Sequence, residues 1–133
     1  MLQIPQHIHE DLIMHAKEGY PLEVCGILGG TDESVLSIYR MTNTDASNEH
    51  FMMDPKEQFA VVKDLRAKGL SMLAVYHSHP ETPARPSEED IKLALTPGVS
   101  HIIISLADSQ GADVKSFKID QGNVETETMK IIV

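Results

Sequence analysis

The strongest constraint on the architecture is the segment MLAVYHSHPETPARPSEED, residues 72–90. Residues 72–76 form a short, continuous apolar run, which is typical of a strand buried on both faces of a sheet. Residues 81–86 contain two prolines and therefore predict a stiff loop instead of a helix or a central strand. Residues 87–90 predict the start of a helix. Its inward side chains are expected to be Ile91, Ala94 and Leu95, and its end is expected at Pro97-Gly98.

The sequence before this segment predicts two helices and a pair of strands. Residues 6–18 carry apolar side chains at helical spacing, namely Ile8, Leu12, Ile13 and Ala16. Residues 24–28 and 35–41 predict two adjacent strands joined by a turn. A second helix is predicted from Asp54 to about Lys68, with Asp54 as its cap, Pro55 first and Glu57 completing a capping box. Its expected apolar positions are Phe59, Val62 and Leu65.

The sequence after the segment predicts three further strands, at residues 101–106, 114–119 and 124–133. Strands and helices alternate early in the chain, and strands cluster late. This order predicts an α/β (α+β) fold with a mixed central β-sheet flanked by about three helices. A length of 133 residues fits one domain, residues 1–133.

Composition excludes several classes of function. Eleven basic and twenty acidic residues give a net charge of −9, which argues against a nucleic-acid partner. The chain has no apolar run of about eighteen residues and no apparent signal peptide, so we expect neither membrane insertion nor export by that route. The lone Cys25 excludes an internal disulfide and a multi-cysteine zinc site. We therefore expect a cytoplasmic protein in which Cys25 packs in the core.

His77 and His79 are the first candidates for chemistry. Two residues separated by one position project to the same side of a strand, so both imidazoles can approach a single ion. Catalytic zinc commonly has three protein ligands and one open position, and Asp90 on the following helix could be the third ligand. The pattern Ser87-x-x-Asp90 is also that of a helix capping box, which involves no metal. Ser78 points away from the two histidines in a regular strand and is expected to make a hydrogen bond that fixes the turn, with no part in catalysis.

The motifs together form a longer pattern: Glu23, then His77-Ser78-His79, seven residues, Ser87, two residues and Asp90. With this spacing the chain resembles the JAMM, or MPN-plus, metalloprotease family. The resemblance extends to residues 23–28, to Met53-Asp54-Pro55 and to the strand at residues 102–106. It implies the cytidine-deaminase-like MPN architecture.

The resemblance also implies a role for each residue of the pattern. His77, His79 and Asp90 would bind one Zn²⁺ per chain, with a water as the fourth ligand and nucleophile. The chain has eleven glutamates, and the resemblance alone selects Glu23 as the general base. Ser87 would donate a hydrogen bond to the oxyanion.

The short connection between His79 and Ser87 is similar to that of bacterial and archaeal members associated with ubiquitin-like sulfur-carrier proteins. The resemblance therefore implies a peptidase or isopeptidase that cuts after the C-terminal Gly-Gly of such a carrier, as in cysteine biosynthesis. A second copy of the chain is a candidate partner in a homodimer. Two alternatives are a non-catalytic MPN-like interaction module and a zinc hydrolase of a small amide.

Overall fold

A mixed eight-stranded sheet organises the part of the chain that the computed structural model describes, residues 1–94 and 98–133. The elements follow in the order β1 (Leu2–Pro5), α1 (Gln6–Gly19), β2 (Cys25–Thr31), β3 (Ser34–Met41), α2 (Pro55–Ala67), β4 (Ser71–His79), α3 (Glu88–Lys92), β5 (Ser100–Ser105), β6 (Asp113–Asp120), β7 (Asn123–Glu127) and β8 (Met129–Ile132). The strand order across the sheet is β7-β6-β5-β4-β2-β3-β1-β8. The predicted fold class, a mixed sheet with three helices, is confirmed for these residues.

The centre of the sheet is the strand that carries the two histidines. β4 pairs antiparallel with β2 and parallel with β5, and in these ladders His77 lies opposite Cys25 and Ile103. Neighbouring strands on both sides fix the backbone of β4 along its length. The strand therefore continues from the predicted residues 72–76 through His79, so that both histidines belong to the sheet.

Helices cover both faces of the sheet. On one face, α1 buries Ile8, Leu12 and Ala16 in a cluster that includes Tyr76 and Ile102. On the other face, α2 contributes Val61 and Leu65 to a second buried cluster, whose other members are Cys25, Ile27, Met41 and Met53. Burial of each large aliphatic side chain contributes about 1.5–3 kcal/mol, so these two layers provide the main stabilisation. The expected packing role of Cys25 is confirmed.

The second helix is correct in extent, but of its three predicted inner residues only Leu65 is buried. Phe59 is 72% exposed and Val62 is 40% exposed, whereas Val61 is only 7% exposed, and it is Val61 and Leu65 that contact the sheet. These two residues are four positions apart and lie along one line of the helix, which leaves Phe59 and Val62 on the solvent side. Asp54 caps the helix as predicted, by accepting a hydrogen bond from the backbone N–H of Lys56.

Glu57 does not complete the predicted capping box of this helix. Its carboxylate instead accepts hydrogen bonds from the backbone N–H of Thr42 at 2.7 Å and from the Thr42 hydroxyl at 2.8 Å. The interaction joins the end of β3 to the start of α2. A contact between residues fifteen positions apart is not encoded in the local capping pattern.

The two ends of the chain meet in the sheet, which the sequence did not predict. The N-terminal strand β1 pairs in parallel with β8. The predicted strand over residues 124–133 is divided at Thr128 into β7, at one end of the sheet, and β8, at the other. Because a single residue separates two strands at opposite ends, the sheet must curl until those ends approach each other.

The third helix is shorter than predicted. α3 ends at Lys92, ahead of the expected end at Pro97-Gly98, and Ile91 and Ala94 are partly buried as expected. The predicted inward Leu95, together with Pro97, lies outside the described residues. In the described part of the chain, no helix has the length and apolar character needed to cross a membrane.

Candidate metal centre

Alternation along β4 separates the side chains of its last residues onto the two faces of the sheet. Tyr76 and Ser78 face the α1 layer, and His77 and His79 face the opposite side. Both histidines are 5% exposed. The two imidazoles are therefore held side by side in a nearly water-free place, as the spacing predicted.

Ser78 makes a hydrogen bond, as expected, but the bond joins two segments distant in sequence and does not fix the turn. Its hydroxyl oxygen accepts a hydrogen bond from the backbone N–H of Val24 at 2.8 Å, and its own N–H donates to the Val24 carbonyl at 3.0 Å. These two bonds join the end of β4 to the residue that follows Glu23. Ser78 thus links the histidine strand to the backbone of the candidate base.

Asp90 and Ser87 form the capping box and at the same time contribute to the histidine cluster. The Ser87 hydroxyl oxygen accepts from the Asp90 backbone N–H at 3.0 Å, and Asp90 Oδ2 accepts from the Ser87 backbone N–H at 2.9 Å. The same Oδ2 atom is 3.1 Å from Nε2 of both His77 and His79. The capping interpretation and the ligand interpretation of this motif are therefore compatible, because the cap orients the carboxylate toward the histidines.

Three potential ligand atoms form an equilateral triangle. His77 Nε2 and His79 Nε2 are 3.1 Å apart, the same distance that separates each of them from Asp90 Oδ2. A tetrahedral zinc ion with bonds of about 2.0–2.1 Å requires its ligand atoms to be about 3.3–3.4 Å apart. Nitrogen, nitrogen and carboxylate oxygen also form a donor set that zinc accepts. In both spacing and chemistry, the three residues could hold a divalent metal ion.

A backbone carbonyl orients one of the imidazoles. His79 Nδ1 lies 2.9 Å from the carbonyl oxygen of Pro83, which can only accept a hydrogen bond, so Nδ1 carries the proton. The lone pair of Nε2 is then directed into the triangle. Such outer contacts are typical of metal-binding histidines. This carbonyl belongs to the proline-rich loop after β4, so the rigidity of the loop helps to fix the orientation of the His79 ring.

The ionisation of the cluster reflects its close contacts. Burial alone would raise the pKa of Asp90, but hydrogen bonds with His77 and His79 outweigh it and hold the pKa far below its usual range. Burial alone would lower the pKa of His79, but hydrogen bonds to Asp90 and to the Pro83 carbonyl raise it overall. The carboxylate is therefore anionic at neutral pH, as a metal ligand must be.

Glu23 lies in the same region and is buried, with 6% of its surface exposed. Its Oε1 atom has no hydrogen-bond partner among the described residues. Burial raises the pKa of Glu23 from 4.5 to about 7, and the charges of His79 and Asp90 also act on it. A carboxyl group with a pKa near 7 can take up and release a proton at neutral pH.

Phe51 is a contributor to this region that sequence reasoning missed. Its ring stacks on the imidazole of His77, with centroids 4.5 Å apart and planes 21° apart. Phe51 belongs to the loop between β3 and α2, twenty-six positions away from His77, and no local pattern predicts the contact. The stack restrains the orientation of the His77 ring.

A cavity of about 210 Å³ opens beside His77 and Asp90. Its walls are mainly apolar, and they include Phe51. His50 and His101 also line it but do not join the triangle, and His50 Nδ1 contacts Glu89 Oε2 at 2.5 Å. The candidate centre therefore adjoins a space that could receive part of a substrate.

The chain is similar to proteins of a known family. Residues 5–120 match the family of prokaryotic homologs of the JAB domain. A CysO-cysteine peptidase of Mycobacterium tuberculosis is 30% identical over 123 residues, which cover 91% of this chain and 84% of that protein. A desampylase of Haloferax volcanii is 30% identical over 111 residues, covering 78% of this chain and 80% of that protein.

Solved structures show the same fold. A protein from Desulfitobacterium hafniense, DSY2949, is 44% identical with a TM-score of 0.90, and the match covers 99% of this chain and 93% of that one. A structure described as the JAMM metalloprotease-like zinc site in the proteasome and signalosome has a TM-score of 0.64 at 19% identity, covering 100% of this chain and 99% of that one. The expected MPN architecture is thus confirmed. By the family match over residues 5–120, the chain belongs to the prokaryotic homologs of the JAB domain.

Proposed function

We propose that this protein is a zinc-dependent peptidase or isopeptidase that hydrolyses the bond after the C-terminal Gly-Gly of a small ubiquitin-like sulfur-carrier protein. The observation that carries the proposal is the triangle of His77, His79 and Asp90, with ligand atoms 3.1 Å apart, in the same region as the buried carboxyl group of Glu23. A peptidase needs both a site that activates water and a group that moves its proton.

His77, His79 and Asp90 would hold one Zn²⁺ per chain. Bound zinc supplies a water of lowered pKa and polarises the carbonyl that is attacked. The protein contributes the orientation of its ligands, through the Ser87 cap on Asp90 and the Pro83 carbonyl on His79.

Glu23 would be the general base and then the general acid. It takes a proton from the attacking water and delivers it to the nitrogen of the leaving amine as the C–N bond breaks. The hydroxyl of the water remains on the carbonyl carbon, so the products are a carboxylic acid and an amine. The raised pKa of Glu23, about 7, supports both transfers at neutral pH.

Ser87 would donate a hydrogen bond to the oxygen that becomes negative during the attack. Its hydroxyl oxygen already accepts the Asp90 N–H, which leaves the hydroxyl proton free to be donated. Removal of such a donor typically lowers kcat by about 10²–10³-fold. We expect a loss of this size for Ser87→Ala, measured at saturating zinc.

The substrate is proposed from the names of the relatives and from the chemistry of the tail. One relative is called a CysO-cysteine peptidase and another a desampylase. A Gly-Gly tail has no side chains, so its backbone can approach a buried metal centre closely. The same chemistry fits either a small adduct, such as cysteine, or a protein joined to the carrier.

The decisive experiment combines metal analysis with cleavage of a carrier protein that bears a Gly-Gly adduct. We expect about one zinc per chain, cleavage by the wild type, and only a small residual rate of cleavage, with retention of zinc, in Glu23→Gln. The matched control is Glu81→Gln, an exposed glutamate in the loop after β4, which should cleave normally.

Three results would count against the proposal. If folded Glu23→Gln cleaved the substrate at the wild-type rate, Glu23 could not be the general base. Activity on small amides but on no carrier protein would favour the amide hydrolase. Stoichiometric zinc without any hydrolysis would favour the non-catalytic interaction module.

A cytoplasmic location and a homodimer remain predictions. The single, buried Cys25 supports the cytoplasmic location.

A further inference from the structure

We propose that the side chain of Asn43 is the positioning residue of the active site, because it sets the place of Glu23 relative to His77. The inference rests on the proposed role of Glu23 as general base. Glu23 precedes β2 and takes no part in a sheet ladder. Its Oε1 atom has no hydrogen-bond partner among the described residues, so the carboxyl group depends on its backbone for its position.

Two residues near the end of β3 hold that backbone. The N–H of Glu23 donates to the carbonyl of Ser47 at 2.8 Å, and the carbonyl of Glu23 accepts from Asn43 Nδ2 at 3.0 Å. Both partners belong to the segment of residues 43–53, which joins β3 to α2. Any shift of this segment would therefore move the candidate base.

The amide of Asn43 makes four hydrogen bonds. Nδ2 donates to the carbonyls of Glu23 at 3.0 Å and His50 at 2.9 Å. Oδ1 accepts from the backbone N–H groups of Asp45 at 3.1 Å and Met52 at 3.0 Å. The capacity of the group is fully used, with donors facing carbonyls and the acceptor facing N–H groups, so its orientation is fixed.

These bonds connect Glu23 to a candidate metal ligand. His50 and Met52, both bound by Asn43, flank Phe51, whose ring stacks on His77 with centroids 4.5 Å apart. One amide thus restrains the backbone of the base and the ring that supports a metal-binding imidazole. A general base must lie within hydrogen-bonding reach of its proton, and misplacement by about 1 Å can lower a rate by about 10²-fold.

Asparagine is suited to this place for a chemical reason. Aspartate has nearly the same shape but has no N–H donors, so Asn43→Asp would place a carboxylate oxygen against the carbonyls of Glu23 and His50. Asn48 offers a matched control. It lies in the same segment, is exposed, and its side chain makes no hydrogen bond within the described ranges, so Asn48→Asp introduces the same charge without breaking the bonds.

The test is a double-mutant cycle measured at saturating zinc. We expect Asn43→Asp to lower kcat by about 10²-fold with a much smaller change in KM, and Asn48→Asp to change kcat less than about threefold. In the Glu23→Gln background, Asn43→Asp should change the residual rate less than about threefold, because the group on which it acts is absent. Equal losses in both backgrounds, or equal losses for Asn43→Asp and Asn48→Asp, would overturn the proposal.

A second measurement needs no activity. In metal-free protein, amide hydrogen exchange at Glu23 should accelerate at least about tenfold in Asn43→Asp, because its backbone loses the bond from Nδ2, with exchange at Val75 in β4 unchanged. Unchanged exchange at Glu23 would overturn the positioning role even if no substrate is cleaved, which separates this failure from that of the proposed function. If Asn43→Asp does not fold, Asn43→Ala enters both measurements under the same criteria.

Discussion

Zinc should stabilise the folded chain, and loss of Asp90 should abolish that stabilisation. His77, His79 and Asp90 are brought together by β4 and α3, whose arrangement is lost on unfolding. An ion that binds the folded state alone stabilises it by mass action. Asp90→Ala removes one of the three proposed ligands and leaves the two imidazoles without the carboxylate that contacts both of them.

The expected rise in Tm depends on the chain length and on the ratio of the zinc concentration to the Kd. At a zinc concentration about 1,000 times the Kd, the stabilisation is about 4 kcal/mol. A chain of 133 residues has an unfolding entropy of about 0.28 kcal/mol/K, so we expect Tm to rise by about 15 °C. The loss of a helix cap in Asp90→Ala costs about 1 kcal/mol, which lowers Tm by only about 4 °C.

The assay is thermal unfolding of protein prepared without metal, measured before and after addition of zinc. The rise in Tm caused by zinc is calculated separately for each variant. Asp54→Ala is the matched control, because Asp54 caps α2 through the N–H of Lys56 and has no place in the triangle. Asp54→Ala should lose the stability contributed by the cap but should keep the full rise in Tm caused by zinc. In Asp90→Ala, zinc should raise Tm by less than about 3 °C. A full zinc gain in Asp90→Ala would refute the reasoning.

Further predictions concern the core and the base. Burial, with the nearby charges of Glu57 and Glu23, raises the pKa of the Cys25 thiol to about 12, so a thiol reagent at pH 8 should modify unfolded but not native protein; rapid native labelling would contradict this. Val61→Ala should cost about 1.5 kcal/mol or more and Val62→Ala less than about 0.5 kcal/mol in denaturant unfolding, and equal costs would place both residues on the same face. Burial raises the pKa of Glu23 from 4.5 to about 7, so its stabilising contribution is present below pH 4.5 and is lost as the pH rises through 7. Glu23→Gln should therefore stabilise metal-free protein by up to about 3 kcal/mol more at pH 8 than at pH 4, and a pH-independent difference would contradict the raised pKa.

Local patterns predicted most of the elements correctly, because their determinants lie close together in sequence. The helical spacing of Ile8, Leu12 and Ala16 predicted α1, and all three residues are buried. The cap at Asp54 predicted the start of α2. In α2 the prediction was confirmed for Leu65 but wrong for Phe59 and Val62, because apolar spacing allows several faces and only packing against the sheet selects Val61 beside Leu65.

The candidate site divides in the same way. Alternation along a strand sufficed to place His77 and His79 together, and the motif spacing named Asp90. The choice of Glu23 among eleven glutamates came from the family resemblance, since no sequence pattern near Glu23 predicts that it is buried. Phe51 and Asn43 were missed because each acts through residues brought near by the fold.

The sequence by itself determined the histidine strand, the proline-rich connection, the capped helix and the candidate ligand set, because these depend on neighbours within a few positions. The tertiary structure decided the rest. It divided the last strand at Thr128 so that the chain termini share a sheet, it buried Glu23, and it joined Asn43 to both Glu23 and the loop that carries Phe51. These features arise from contacts between segments distant in sequence, and such contacts are fixed only when the whole core packs.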